Sequence, residues 1–229
     1  MVVMTQLTTQ SLRQLLCVGL AVLAFPAGAM AQTASMTCGD IRNFYGPFDY
    51  TNPIHKEQML PRVEQYHFDV GVQSLKGIAN TVGGEARLGG DIAYTLKAFP
   101  NHHLALFTMI RYYVEKVPEG ASRMEYDPPC WFDRARRFVP NDATVVMLEG
   151  VYYQKSGEMI KAKRAYEEAL KMAPNSPELN YNAGLLYVDL GELDKAANCA
   201  TVAYDAGYPL PGLRNKLVRK GVWGSAGES

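Results

Sequence analysis

Two stretches of this chain repeat one pattern at a fixed offset, and that offset constrains the fold more than any other feature. Residues 141–174 and 175–209 align with an offset of 34 residues. The identical pairs include those that begin at Gly150, Tyr153, Gly157, Glu158, Lys161, Ala162 and Ala169. A fixed period of this length indicates repeated units, each of which buries its apolar face against its neighbours.

The repeated residues predict a helical hairpin in each unit. Glycine inside a helix costs about 1 kcal/mol relative to alanine, so Gly150 and Gly184 indicate that a second helix approaches closely. Ala162 and Ala169 lie on one face of that second helix, where their small side chains permit the approach. Glycine caps are expected to end the first helices, and prolines to end the second helices, at Gly157, Gly191, Pro174 and Pro209.

The period and these residue types resemble the tetratricopeptide repeat (TPR) family. The resemblance implies an all-α, TPR-like α-solenoid of stacked helical hairpins. It is strongest in the TPR repeats at 141–174 and 175–209, and weaker in a degenerate TPR-like repeat at 100–140. In that earlier unit, Pro100-Asn101 and Tyr112-Tyr113 recur 40 residues later, which places an insertion of six residues in the loop 117–129.

The flanking segments complete the predicted domain organisation. Residues 63–99 are expected to form a diverged helix pair, with a helix over 63–77, a glycine-rich loop over 81–90 and a second helix from Asp91. Residues 210–223 predict a capping helix whose inward side chains are Leu213, Leu217 and Val218, and 224–229 a disordered tail. An asparagine after a proline is expected to cap each first helix, at Asn101, Asn141 and Asn175.

The first 31 residues have the pattern of a signal peptide. Arg13 is their only charged residue, an apolar run follows from Leu15 to Phe25, and Ala29-Met30-Ala31 forms an A-x-A cleavage site. The run is too short for a membrane span, and no later segment is long enough. We therefore expect a periplasmic or secreted protein that begins near Gln32 after cleavage at Ala31.

Three cysteines remain after the signal peptide. Cys199 lies among the alanines of a predicted helix, where a free cysteine acts as a small apolar side chain. Cys38 and Cys130 lie in irregular stretches, and an oxidising compartment favours their pairing. We predict a Cys38–Cys130 disulfide, which would contribute roughly 4 kcal/mol in the chain-entropy model. The alternative is that all three cysteines are free.

Residues 32–62 form an irregular, extended and aromatic-rich N-terminal arm. The stretch contains Tyr45-Gly46-Pro47 and Asn52-Pro53 and shows no helical period, and X-Pro steps favour extended backbone. Such a segment has no core of its own. We expect its aromatic residues either to dock on the helices of the same chain or to bind a partner, and these residues are Phe44, Phe48 and Tyr50.

Charge and motifs exclude several classes of function. Lys and Arg number 23 and Asp and Glu number 23, so no basic surplus indicates nucleic acid. The sequence has no nucleophile elbow, phosphate loop, haem site or paired metal-ligand motif, so no catalytic residue, metal or cofactor is predicted. An alternative is a metal-binding or enzymatic protein that uses His67, His102 and His103, with Asp91 as an added ligand.

In TPR folds the first helices of successive units line a concave groove. The repeat register predicts groove positions at Phe107, Arg111, Thr144, Met147, Val151, Gln154, Lys155, Glu178, Tyr181, Asn182, Leu185, Val188 and Asp189. TPR domains that grip a C-terminal carboxylate carry basic and asparagine residues at positions that Met147 and Val151 occupy here. We therefore expect an apolar or amphipathic partner segment, docked by helix-in-groove contacts.

The resemblance and the signal peptide together predict a non-catalytic interaction adaptor or assembly factor. It would act in the periplasm or cell envelope and bind another exported or envelope protein. The sequence does not determine its oligomeric state, and a self-associating structural protein is a further alternative.

Overall fold

A computed structural model describes residues 38–78 and 83–224 of the chain. The predicted signal peptide, the first residues of the arm and residues 225–229 of the predicted tail lie outside them. The described residues form helices and no strand, and adjacent helices pack as hairpins. The expected all-α, TPR-like class is therefore confirmed.

Eleven α-helices occur within the described residues, and α5 continues into one π-helical turn at Tyr112–Lys116. In chain order they are α1 (Pro53–Gln58), α2 (Leu60–His67), α3 (Val70–Gln73), α4 (Gly84–Ala98), α5 (His103–Arg111), α6 (Pro128–Phe138), α7 (Ala143–Lys155), α8 (Met159–Met172), α9 (Pro177–Asp189), α10 (Leu193–Asp205) and α11 (Gly212–Arg219).

The two regular repeats form the hairpins α7–α8 and α9–α10, and close glycine contacts hold them. A Cβ atom added to Gly150 of α7 would lie 3.2 Å from the ring of Tyr166 on α8. A Cβ atom added to Gly184 of α9 would lie 2.5 Å from Leu213 of α11 and 3.3 Å from Cys199 of α10. The alanines expected at the hairpin interfaces are all buried, namely Ala162, Ala169, Ala196 and Ala203.

The ends of α7, α8 and α9 agree with the prediction, whereas α10 ends at Asp205, ahead of a left-handed Gly207, and not at Pro209. The helix starts lie one residue later than predicted. Gly157 and Gly191 follow α7 and α9 in the left-handed region, with φ of +78° and +76°. The side chains that cap α5, α7 and α9 are those of His102, Asp142 and Ser176. The predicted Asn caps are therefore wrong. Each Pro-Asn pair occupies the centre of a turn, because the next residue donates its N–H to the carbonyl three residues back.

The N-terminal half differs more from the prediction. The expected helix over 63–77 is interrupted at Phe68, and α3 starts afresh after Asp69, which caps it. Helix α1 and the start of α2 lie within the predicted extended arm. Asn52 makes α1 possible, because its side chain accepts the N–H groups of Ile54 and His55.

The predicted glycine-rich loop over 81–90 is also wrong beyond Gly83, because α4 begins at Gly84. Leu88 of this helix is buried in the main core. A Cβ atom added to Gly89 would lie 2.9 Å from the hydroxyl of Tyr112. Gly89 therefore permits close packing inside a helix, and the glycine-rich pattern does not form the flexible loop that it predicts.

The predicted Cys38–Cys130 disulfide is present, with an S–S distance of 2.05 Å. Helix α6 holds the same end of the arm through Arg134, which donates to the carbonyl oxygens of Cys38 at 3.1 Å and Asp40 at 2.6 Å. Farther along the arm, Phe48 packs on Phe99 with ring centroids 5.4 Å apart. The arm therefore docks on the helices of its own chain through Phe48 and Tyr50, whereas Phe44 is fully exposed.

Helix α11 covers the last hairpin, as a capping helix does. Leu213 and Leu217 are buried, as expected. Val218 is 38% exposed, which differs from its expected inward position. Val218 follows Leu217 directly, and neighbouring positions on a helix point about 100° apart.

Candidate functional site: a cleft shared by the arm and the repeats

The first helices of three successive units lie side by side, since α5 packs on α7 and α7 packs on α9. Between them and the arm lies a cleft of about 350 Å³. We call it the groove cleft. Its lining residues come from the arm and all three helices, and they are Tyr50, His103, Leu104, Phe107, Thr144, Met147, Leu148 and Glu178.

The groove cleft is apolar with an acidic edge. Leu104 is 42% exposed and Phe107 is 36% exposed, so two large apolar side chains face solvent at its mouth. Met147 is buried beneath them, and Glu178 is exposed at the edge. A smaller hollow of about 40 Å³ between α7 and α9 shares Thr144, Met147 and Glu178 with the cleft.

Four of the predicted groove residues come together here, namely Phe107, Thr144, Met147 and Glu178. Arg111 is engaged elsewhere: its guanidinium donates to both carboxylate oxygens of Glu115, at 3.0 and 3.2 Å, and to the carbonyl of Gln73 at 3.2 Å. The guanidinium of Arg111, which the repeat register predicted in the groove, is therefore bound by Glu115 and Gln73.

The other predicted groove residues do not line this cleft. Tyr181 stacks against Tyr208, with ring centroids 4.6 Å apart, and is covered by the segment that leads to α11. Asp189 pairs with Lys216 of α11 at 2.5 Å. The C-terminal elements therefore cover the far end of the predicted groove. Six further predicted groove residues also do not line the groove cleft, namely Val151, Gln154, Lys155, Asn182, Leu185 and Val188.

Sequence reasoning missed four lining residues: Tyr50, His103, Leu104 and Leu148. The sequence does contain a signal for two of them, because His103 and Leu104 precede Phe107 by four and three residues on one helix face. No such signal exists for Tyr50, which reaches the cleft through the tertiary path of the arm.

Three side chains hold the ring of Tyr50 in place. It stacks on His102 with centroids 4.3 Å apart and meets His103 edge-on at 5.0 Å. The ammonium of Lys56 lies 4.0 Å from the ring centroid, where the negative face of the ring attracts it. Burial, together with the negative charge of Glu64, raises the pKa of Tyr50, so this wall of the cleft stays neutral.

Asn101 connects the arm to two helix starts. Its carbonyl oxygen accepts the backbone N–H of Tyr50 at 2.9 Å. Its amide donates to Asp49 at 2.8 Å and to Asp142 at 3.1 Å. Asn101 is fully buried, so each of these bonds replaces water that the folded chain excludes.

Asp142 and His103 are hydrogen-bonded at the cleft, with His103 Nε2 2.8 Å from Asp142 Oδ2. Burial opposes ionisation of Asp142, but the hydrogen bonds from His103 and Asn101 outweigh it and lower the pKa of this carboxyl group. The ionised form also caps α7, because Asp142 accepts the N–H groups of Thr144 and Val145.

His102 is buried in its neutral form. Its Nδ1 accepts the N–H of Ala105 at 3.2 Å, so the remaining proton lies on Nε2, which is 3.2 Å from a carboxylate oxygen of Glu64. Burial lowers the pKa of His102, and the nearby Glu64 only partly compensates. The neutral ring therefore caps α5 and supports Tyr50 at once.

The three histidines of the alternative metal site are each paired with a different carboxylate. His67 binds Asp91 at 2.9 Å, while His102 and His103 bind the acids described above. Among residues 38–78 and 83–224, no three His, Cys, Asp or Glu side chains are placed to hold one metal ion. His102 and His103 thus support helix starts, and His67 links α2 to α4.

A family model for the tetratricopeptide repeat matches residues 143–176 and 177–201. The matched part of the chain, residues 143–201, therefore consists of tetratricopeptide repeats. The matched TPR repeats contain Thr144, Met147 and Glu178 of the groove cleft, and they support a role in protein–protein interaction. The TPR fold is typically non-catalytic.

No curated protein matches the chain. None of the helices in the described part of the chain is long and apolar enough to span a bilayer.

Proposed function

We propose that this TPR protein is a non-catalytic adaptor or assembly factor of the periplasm or cell envelope. It binds an apolar or amphipathic segment of another exported protein in the groove cleft. The observation that carries the proposal is the exposure of Leu104 and Phe107 beside Tyr50 and Met147. Large apolar side chains exposed together within a preformed concave surface favour the docking of an apolar anchor.

Site-specific photo-crosslinking tests this binding site. A photoreactive phenylalanine analogue replaces Phe107 in the mature chain, which is then irradiated with envelope extract. The matched control carries the analogue at Ile160, which is 63% exposed on α8 and does not line the groove cleft. We expect one partner to crosslink from position 107 and not from position 160.

A second variant makes the same experiment specific for the cleft. Leu104→Glu places a charge in the apolar mouth, and we expect it to reduce the crosslinked partner by about tenfold, which corresponds to roughly 1.4 kcal/mol of binding free energy. Equal crosslinking from positions 107 and 160, or a yield that Leu104→Glu leaves unchanged, would contradict the proposal.

Export from the cytoplasm is the second part of the proposal. The signal-peptide pattern in residues 1–31 supports it, and so does the Cys38–Cys130 disulfide, since disulfides persist in oxidising compartments. Cell fractionation with N-terminal sequencing of the purified protein tests it. We expect a chain that begins at Gln32 in the periplasmic or secreted fraction, whereas an uncleaved cytoplasmic chain would contradict export.

A further inference from the structure

A second cleft of about 260 Å³ lies away from the groove helices, between the arm, α2 and α4. We call it the aromatic cleft. It shares no lining residue with the groove cleft, so a ligand could occupy each independently. Its described lining residues are Phe44, Tyr45, Arg62, Val63, Tyr66, His67 and Tyr94.

Exposed aromatic rings dominate the aromatic cleft. Phe44 is fully exposed, Tyr66 is 59% exposed and Tyr94 is 36% exposed. Single exposed apolar side chains are normal on protein surfaces, but a contiguous group of them marks an interaction site. Three separate elements contribute these rings, so the grouping depends on the tertiary fold.

Two of the lining rings, those of Tyr94 and Tyr45, are held in place by contacts behind them. His67 stacks on Tyr94 with centroids 3.8 Å apart, and Asp91 holds its Nδ1 at 2.9 Å. On the other side, Tyr45 meets Phe48 edge-on at 5.2 Å. Because these contacts already order two walls, a ligand would lose little entropy in arranging them.

The described lining residues of the aromatic cleft include one charged group, the guanidinium of Arg62, and no carboxylate. The imidazole of His67 also lines the cleft, and its Nδ1 is paired with Asp91. Within the described part of the chain, no carboxylate or carbonyl oxygen accepts a hydrogen bond from Arg62. An exposed guanidinium that has no partner among the described residues is available for a bidentate contact with a carboxylate.

We propose that the aromatic cleft binds an extended, acidic segment of a partner protein. A proline or aromatic side chain of that segment packs between Tyr66 and Tyr94, and a neighbouring aspartate or glutamate pairs with Arg62. Aromatic-lined grooves suit extended segments rich in proline, because the side chains pack on ring faces and the backbone is already extended. The complementary charge then selects acidic sequences among them.

Peptide selection tests this proposal. A library of random dodecapeptides displayed on phage is selected on the oxidised mature chain and on its Arg62→Glu variant. We expect the mature chain to enrich peptides that place proline or an aromatic residue beside an acid. The Arg62→Glu variant should instead enrich peptides that place lysine or arginine there, since the charge at the rim is reversed.

Affinity measurements on an enriched peptide locate its site. We expect Tyr66→Ala with Tyr94→Ala to weaken binding at least about tenfold, while the groove variant Leu104→Glu leaves it unchanged. Arg62 is exposed, so its variant remains informative even if the double tyrosine variant fails to fold.

Two results would overturn the inference. One is a set of enriched peptides that is neutral or basic, or that stays the same on the Arg62→Glu variant. The other is a dimer of the mature chain in analytical ultracentrifugation that Phe44→Ala dissociates, because a second copy would then occupy the cleft. Neither result affects the crosslinking test of the groove cleft, so the two proposals fail separately.

Discussion

The hairpins α7–α10 and the helices α1–α6 belong to one all-α fold, but different interactions hold them in place. In the hairpins, glycine and alanine of one helix lie against bulky side chains of the next, as Gly150 does against Tyr166. In the N-terminal half, polar and covalent links join residues far apart in sequence. The Cys38–Cys130 disulfide spans 92 residues, and the Asn101–Asp49 hydrogen bond spans 52.

This difference determines how each region responds to a substitution. Apolar packing in the hairpins is distributed over many contacts, and alanines at equivalent positions are buried in both repeats. The arm combines apolar contacts with a few buried polar groups, and removal of one of these polar groups leaves its partners without a hydrogen bond. The following predictions test that contrast, from the largest expected effect to the smallest.

Removal of the disulfide should have the largest effect. We expect Cys38→Ser with Cys130→Ser to lower the free energy of unfolding by about 4 kcal/mol, because the unfolded chain regains the freedom of a long loop. Denaturant unfolding of the oxidised wild type and the variant measures it. Hydrogen exchange should rise more in residues 38–58 than in the hairpins, and an equal rise in both regions would contradict the contrast.

Overpacking of the last hairpin should cost slightly less. We expect Gly184→Leu to destabilise the protein by about 3 kcal/mol, because the added side chain meets Leu213, which is buried. The control is Gly184→Ala combined with Leu213→Ala, which makes room for the new methyl group. If thermal unfolding shows the same loss for Gly184→Ala with and without Leu213→Ala, the close contact with α11 is not the cause.

The asparagine network permits a matched comparison between the two regions. Asn101→Ala should cost about 2 kcal/mol, since Asp49, Asp142 and the N–H of Tyr50 lose a buried partner. Asn175 occupies the equivalent turn before α9 and is exposed, so Asn175→Ala should change the free energy of unfolding by less than about 0.5 kcal/mol. Chemical denaturation of both variants measures the difference. Equal losses of stability would contradict the stabilising role of the buried Asn101 hydrogen bonds.

The smallest predicted effect is a pH dependence confined to the N-terminal half. Burial lowers the pKa of His102 below its usual value of 6.5. The unfolded chain therefore takes up a proton below that pH that the folded chain excludes. Stability is complete above pH 6.5 and falls as the pH decreases, by at most about 1.4 kcal/mol per pH unit.

The His102→Asn variant separates the protonation of His102 from the protonation of other groups. Asparagine also caps helices, so the variant keeps the start of α5 and loses the titration. We expect the denaturation midpoint of the wild type to fall between pH 7.5 and pH 5.5, and the midpoint of the variant to fall less. If the denaturation midpoint falls equally with pH in the wild type and in His102→Asn, groups other than His102 cause the pH dependence.

The contrast between the regions also explains which features the sequence predicted. The hairpins, the left-handed glycines and the capping helix follow from local periodicity, because the residues in contact recur at a fixed spacing. The pairing of Cys38 with Cys130 followed from composition and compartment. Where the prediction failed, at the α4 start and the helix caps, local signals allowed two interpretations: a glycine can serve flexibility or close packing, and Pro-Asn can form a turn or precede a cap.

The amino-acid sequence by itself determined the repeat class, the hairpins and the apolar character of the groove positions Phe107 and Met147. Only the tertiary structure placed Tyr50 beside Phe107, covered Tyr181 with the C-terminal segment, and grouped Tyr66 and Tyr94 into a second cleft. The physical reason is the range of the interactions involved. Periodicity reports contacts within a helix and its neighbour, whereas the course of an irregular arm depends on buried polar partners that no local pattern reveals.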